Sequence, residues 1–382
     1  MLAVVDRLRR RQGAPAAGPR TGNADFEFTA VAPPTGPLAD ALQQRDISVL
    51  PLAIRDDSGD RLPLDVAVRS LAESLQSANA DLIHANSLSL GRLLGALGDE
   101  FDVPRVAHLR DIVGLSGAAI ADLNRNDRLT AVSRATRDFH LTQGLNPGTS
   151  CVVCNGVDCE AFRPRPATGT LKRELGLPES AFLVLTVGQI GLRKGQDVLV
   201  EAAARLNAAV AAHVLPDACP LHVRDVHYVV VGERNSAKRE SVEFENALLR
   251  RCEEAGMADR FHLTGYRDDV PRLMNEAGLL VHPAHQEPFG RVLLEAAASG
   301  LAIIATSVGG TPEVLQDGVS ARLIPPGDSD SLADAIAELA RDADLRERLA
   351  SAARARIESR FSVGVATTEL TQTWHRLLAP AV

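Results

Sequence analysis

Aromatic side chains are scarce in this chain: one Trp, two Tyr and ten Phe make up 3% of 382 residues. Any core must therefore be built from Ala, Val, Leu and Ile. Long apolar runs are also missing. None approaches the roughly 18 residues that a membrane-spanning helix needs. The opening stretch "MLAVVDRLRRRQG" places its basic residues after its short apolar run, the reverse of a secretory signal. Positive charge is outnumbered, 41 Lys and Arg against 49 Asp and Glu, for a net charge of -8. That balance argues against general binding to nucleic acid or to an anionic membrane, while leaving room for a local basic pocket.

Five cysteines, an odd number in so long a chain, fit reduced thiols in the cytoplasm better than a disulfide framework. Cys151, Cys154 and Cys159 cluster in "CVVCNGVDC". The first two lie in a strand-like run, where an offset of three sends side chains to opposite faces. Small apolar filler is a better reading of them than zinc, and no metal site is expected.

What is present is an alternation of short apolar runs and amphipathic segments. Runs at 47–54, 80–86, 105–111, 128–133 and 150–156 read as buried strands, with helical spacing between several of them, as in "AVRSLAESLQSAN". A proline-rich stretch, "FRPRPATGTLKRELGLPES", reads as a linker with a short helix. The alternation restarts at 182–188, 227–232, 260–265, 278–284, 301–310 and 321–327. The chain is thus expected to be α/β, with two doubly wound, Rossmann-like domains facing a cleft. Their bounds are placed at 1–162 and 163–360, with residues 361–382 a helix crossing back to the first domain.

Chemistry concentrates in the second half. Strand "FLVLTVG" ends at Gly188 and leads through "QIGLRKG", where Arg193 and Lys194 precede a helix. A strand, a glycine loop, two cations and a helix start suit a diphosphate. A solvated basic turn is the competing reading. The pattern is neither GxGxxG nor a Walker loop. In "HQEPFGRVLLEAAASG" two acids, Glu287 and Glu295, flank a Pro-Phe-Gly turn. The amides of Gly290, Arg291 and Val292 at the helix start make a second anion cradle. Glu295 sits among Leu293, Leu294, Ala296, Ala297 and Ala298, an awkward place for a carboxylate without a partner. Its two oxygens match a ribose diol.

These stretches, with "CNGVDCEAFRP" and "GYRDDVPRLMNEAGLLVHPAHQEPFG", resemble the retaining glycosyltransferases of family 4, which have the GT-B fold. The two glutamates match that family's E-x7-E motif. The resemblance implies transfer of a sugar from a nucleotide diphosphate donor to an acceptor that is a glycan, a lipid or a small molecule. It implies retained anomeric configuration and neither an essential metal nor a cofactor beyond the donor. It puts Arg193 and Lys194 on the diphosphate after Gly188, Glu295 on the ribose, and Glu287 beside the reacting sugar. The backbone of Phe289, Gly290, Arg291 and Val292 lines the pocket, and Arg267 falls near the base. A cytoplasmic enzyme, with peripheral contact at the inner face of a membrane, fits that role. A non-catalytic nucleotide-sugar-binding protein and a sugar phosphorylase share the architecture and remain alternatives.

The sequence departs from the family pattern in three places. Gln189 stands where the family often has Arg. The family's His-Asp pair after the fourth strand corresponds to Arg110-Asp111, with His108 two residues earlier, either in the site or in the core. No counterpart of the family's first strand and glycine loop precedes "MLAVVDRLRRRQG", which is expected to leave neighbouring strand edges unpaired and to put activity in doubt.

Overall fold

The computed structural model describes residues 1–13, 26–212 and 225–379. These form two compact units, one of Met1–Cys154 with Val363–Val382, the other of Asn155–Ser362. The crossover points thus fall at 154–155 and 362–363 rather than at 162–163 and 360–361. Residues just after Cys154 join the second unit through Val157, whose N–H donates to Phe361 O at 2.9 Å. The final helix, expected over 361–382, is described as Val363–Leu378 and is separated from helix Ala343–Arg360 at Phe361–Ser362.

In the first unit, strands β1 (Thr29–Ala32) and β2 (Ser48–Pro51) make a parallel pair. Strands β3 (Ile83–Ala85), β4 (Arg105–Leu109), β5 (Arg128–Ala131) and β6 (Ser150–Val152) form a separate parallel sheet in chain order. Among the described residues these two sheets are not paired with one another. Helix α1 (Leu2–Gly13) packs against the returning helix Val363–Leu378. Leu8, Val106, Val153, Leu370 and Trp374 are buried together there.

The second unit carries a six-stranded parallel sheet. Its strands are β7 (Phe182–Val187), β8 (Val226–Val231), β9 (Phe261–Leu263), β10 (Leu279–His282), β11 (Ile303–Thr306) and β12 (Arg322–Ile324). Their spatial order is β12-β11-β10-β7-β8-β9. Val, Leu and Ile runs make near-continuous apolar strands, as expected where helices cover both faces. The order reverses direction between β7 and β10, so the loops after these two strands frame the topological switch point. No helix among the described residues is long and apolar enough to cross a membrane. Cys151, Cys154, Cys159 and Cys252 form no disulfide.

Candidate active site

The loop after β7 is fixed from three sides. Gly188 N–H donates to Val231 O at 2.9 Å, tying it to β8. His285 N–H donates to Arg193 O at 3.0 Å, tying it to the loop after β10. Buried Gln196 holds the loop from inside, accepting from Gly191 N–H at 3.3 Å and donating to Gln189 O at 3.0 Å. Leu192–Lys194 form a 3₁₀ turn closed by Gly195 at φ 69°. A Cβ at Gly195 would stand 1.9 Å from Pro283 O, so only glycine lets the two loops approach this closely. Arg193 is exposed and Lys194 half-buried just ahead of helix Gln196–Ala211.

Strand β10 ends at His282, which is 2% exposed. The following loop brings Glu287 back over the strand end. Its Oε2 accepts from Lys194 Nζ at 2.7 Å and from His282 Nε2 at 2.9 Å. Burial works against charge on Glu287. The hydrogen bond from His282 and the ammonium of Lys194 outweigh it and hold the carboxylate well below its ordinary range. Burial pushes His282 the other way, below the usual imidazole value, against the pull of Glu287. The carboxylate accepts only, so the neutral ring carries its hydrogen on Nε2.

Gly290 opens helix Arg291–Ala298 in the left-handed region, φ 87°, and has no side-chain cap. A Cβ there would meet Leu293 Cδ1 at 2.6 Å. Leu293 N–H closes the first turn on Gly290 O at 3.0 Å. The amides of Gly290, Arg291 and Val292 stand ahead of it, the donors that a helix start leaves without intrahelical partners. Phe289 is 2% exposed with its ring 5.8 Å from that of Phe361, so its side chain is core. Glu295 follows one turn later with its side chain 16% exposed. Its contact is Arg291 Nη2 at 3.3 Å, on an arginine 70% exposed. Burial raises the Glu295 carboxyl above its ordinary value, and Arg291 does not restore it. The two acids of one motif are thus pushed in opposite directions, one secured as an anion and the other short of a partner.

The remaining sequence candidates are Arg267 in the second unit and His108, Arg110 and Asp111 in the first. Arg267 follows β9 and spends its edges on acids. Nε and Nη2 reach Asp269 Oδ1 and Oδ2, each at 2.9 Å, and Nη1 reaches Glu174 Oε2 at 3.0 Å. In the first unit, His108 is 4% exposed within β4, and both its ring nitrogens lack a partner among the described residues. Its ring stands edge-on to His84 at 5.6 Å, and His84 Nδ1 accepts from Trp374 Nε1 at 3.1 Å. Burial, helped by the charge of Arg110, lowers both imidazoles, His84 to about 3. Arg110 and Asp111 follow the strand directly, and Asp111 O bonds His140 Nε2 at 2.8 Å.

The chain matches two family models: glycosyl transferases group 1 over residues 168–356, and glycosyltransferase family 4 over residues 21–161. It is 30% identical to the D-inositol 3-phosphate glycosyltransferase of Thermobifida fusca, over 75% of this chain and 67% of that protein. The chain belongs to glycosyltransferase family 4. This family 4 member is also 29% identical to a protein of the same name from Streptomyces bingchenggensis, over 85% of this chain and 74% of the other. Its fold matches Anabaena Alr3699/HepE in complex with UDP and glucose, at TM-score 0.76 and 26% identity over 89% of each chain. The same protein in complex with UDP-glucose gives TM-score 0.77. The architecture is therefore GT-B.

Two residues that hold the glycosyltransferase's site together were not singled out in its sequence. Gln196 follows the glycine of "RKG" directly, and a polar residue at the first position of an apolar helix was the available signal. His282 stood inside an apolar strand, where it reads as a core histidine until the strand order is known.

Proposed function

We propose that the enzyme transfers a glycosyl group from a nucleotide diphosphate sugar, with UDP-glucose the first donor to test, retaining the anomeric configuration. The observation that carries the reading is Glu287 held as an anion by Lys194 and His282 at the sheet's switch point. Similarity to a protein solved with UDP and UDP-glucose supports the uridine donor.

Arg193, Lys194 and the amides of Gly290, Arg291 and Val292 are suited to neutralise a leaving diphosphate. Such cations and dipoles serve the role a divalent ion plays elsewhere, so transfer is proposed to run without metal. Glu295 takes the ribose hydroxyls, which add to the single contact it has from exposed Arg291. Glu287 lies where a carboxylate stabilises positive charge developing on the sugar; electrostatic support and positioning are its assigned work, rather than nucleophilic attack. The acceptor's proton then passes to the departing phosphate on the face from which the acceptor attacks. The names of the relatives make a phosphorylated polyol the first acceptor to test.

A thermal-shift screen of UDP-, GDP- and ADP-sugars tests the donor, since binding stabilises the folded protein by mass action. No shift with any of them would end the reading. NMR of the product's anomeric proton tests retention, and a chelator in the assay tests metal independence. Turnover that requires free phosphate and runs toward a sugar phosphate would instead indicate a phosphorylase.

A further inference from the structure

Glu287 takes both of its hydrogen bonds on one oxygen, and the two donors differ in what else can claim them. The Lys194 ammonium sits on a flexible stem, is 18% exposed, and carries three donors. An arriving diphosphate competes for it. His282 belongs to a central strand and is 2% exposed, so its ring is held by the sheet and lies out of a ligand's reach. The charged groups acting on this ring are Glu287, Lys194 and Arg193. Both cations lie on the phosphate-facing loop.

We propose that His282 is a positioning residue that keeps Glu287 ionised and aimed when the donor takes over Lys194. The inference rests on the donor reading above. A carboxylate only 6% exposed is costly without a partner. Losing the ammonium to a diphosphate, and gaining that anion nearby, both drive Glu287 to take up a proton. A protonated acid no longer supports positive charge at the sugar. The His282 Nε2–H bond opposes this because it favours the charged form of Glu287. The ring is neutral, so the diphosphate exerts no net charge attraction on it.

The test is calorimetry of UDP-glucose binding near neutral pH, in buffers of different ionisation heat, which reports protons taken up per ligand bound. The phosphates of UDP-glucose are diesterified and do not titrate near neutrality, so uptake reports protein groups. The wild type is expected to show no uptake attributable to Glu287. His282→Leu is expected to add uptake approaching about one proton per site, as Glu287 protonates. His282→Gln, which places an N–H at the same number of bonds from the backbone, is expected to return the value toward the wild type. If leucine prevents folding, His282→Asn, whose shorter amide falls short of Glu287, takes its place. Equal uptake in all variants, with UDP-glucose bound, overturns the role of His282 and leaves the donor reading standing. A wild type that does not bind UDP-glucose overturns the donor reading and this inference with it.

Discussion

Lys194 and Glu287 are 93 positions apart in the chain and meet at 2.7 Å. The sheet order makes this possible: β7 and β10 are neighbours, although β8 and β9 come between them in sequence. Each strand delivers its loop to the same edge, and the loops are bonded to one another through Arg193 O and His285 N–H. The pair therefore belongs to the switch point itself.

Removing the cation separates its two roles. Lys194→Met leaves Glu287 buried with His282 alone, and is expected to cost about 1–3 kcal/mol of stability, less than a fully buried pair because lysine is partly exposed. UDP-glucose affinity should fall roughly 10-fold to 100-fold, the worth of a hydrogen bond to a charged group. Urea unfolding and calorimetry measure the two effects.

Glu287→Gln keeps the shape and removes the charge. Turnover is expected to drop on the order of 10²-fold to 10³-fold, as when one electrostatic contributor to a transition state is lost. Donor affinity should change far less. The stability difference has a definite sign: the folded carboxyl is depressed, so its contribution is present above the ordinary Glu value of 4.5 and is lost as pH falls below it. Unfolding curves of variant and wild type should converge on acidification, and parallel curves would contradict this account.

Glu295 runs the other way. Its folded carboxyl is raised, so the ligand-free enzyme is penalised above that raised value and relieved as pH falls through it toward the ordinary value of 4.5. Glu295→Gln is expected to stabilise the ligand-free protein at neutral pH by about 1 kcal/mol, a rise in Tm on the order of 2–4 °C. The gain should disappear in acid. UDP affinity is expected to fall roughly 10-fold if the proposed ribose contact is removed. A variant both more stable and weaker at binding is the signature to look for in paired melting and titration experiments.

Arg267 offers a contrast. Three of its N–H donors are committed to Asp269 and Glu174, and its hydrogen bonds, with those of Arg272, hold Asp269 down to about 2. Arg267→Ala is expected to cost about 1 kcal/mol at neutral pH, since the network is partly exposed. It should move the Asp269 contribution, present above the ordinary value of 3.8 and lost toward 2, to higher pH. Preference among UDP, GDP and ADP is expected to stay unchanged, since three of the five N–H donors of this guanidinium are held by Asp269 and Glu174. Competition titrations with the three nucleotides check this.

By itself the sequence determined the α/β alternation, the glycine turns, the helix starting at Gly290 and the pairing of two acids within one motif. All of these are local: strand and helix periods, positive-φ positions and the discomfort of Glu295 on an apolar helix are written within a few residues. Only the tertiary structure decided which donors Glu287 meets, that His282 is one of them, that Arg267 faces acids, and that His108 is buried. Those choices depend on which strands become neighbours and which loops share an edge. A partner 93 positions away leaves no trace in the spacing of either residue's own surroundings, because strand order, rather than local pattern, brings them together.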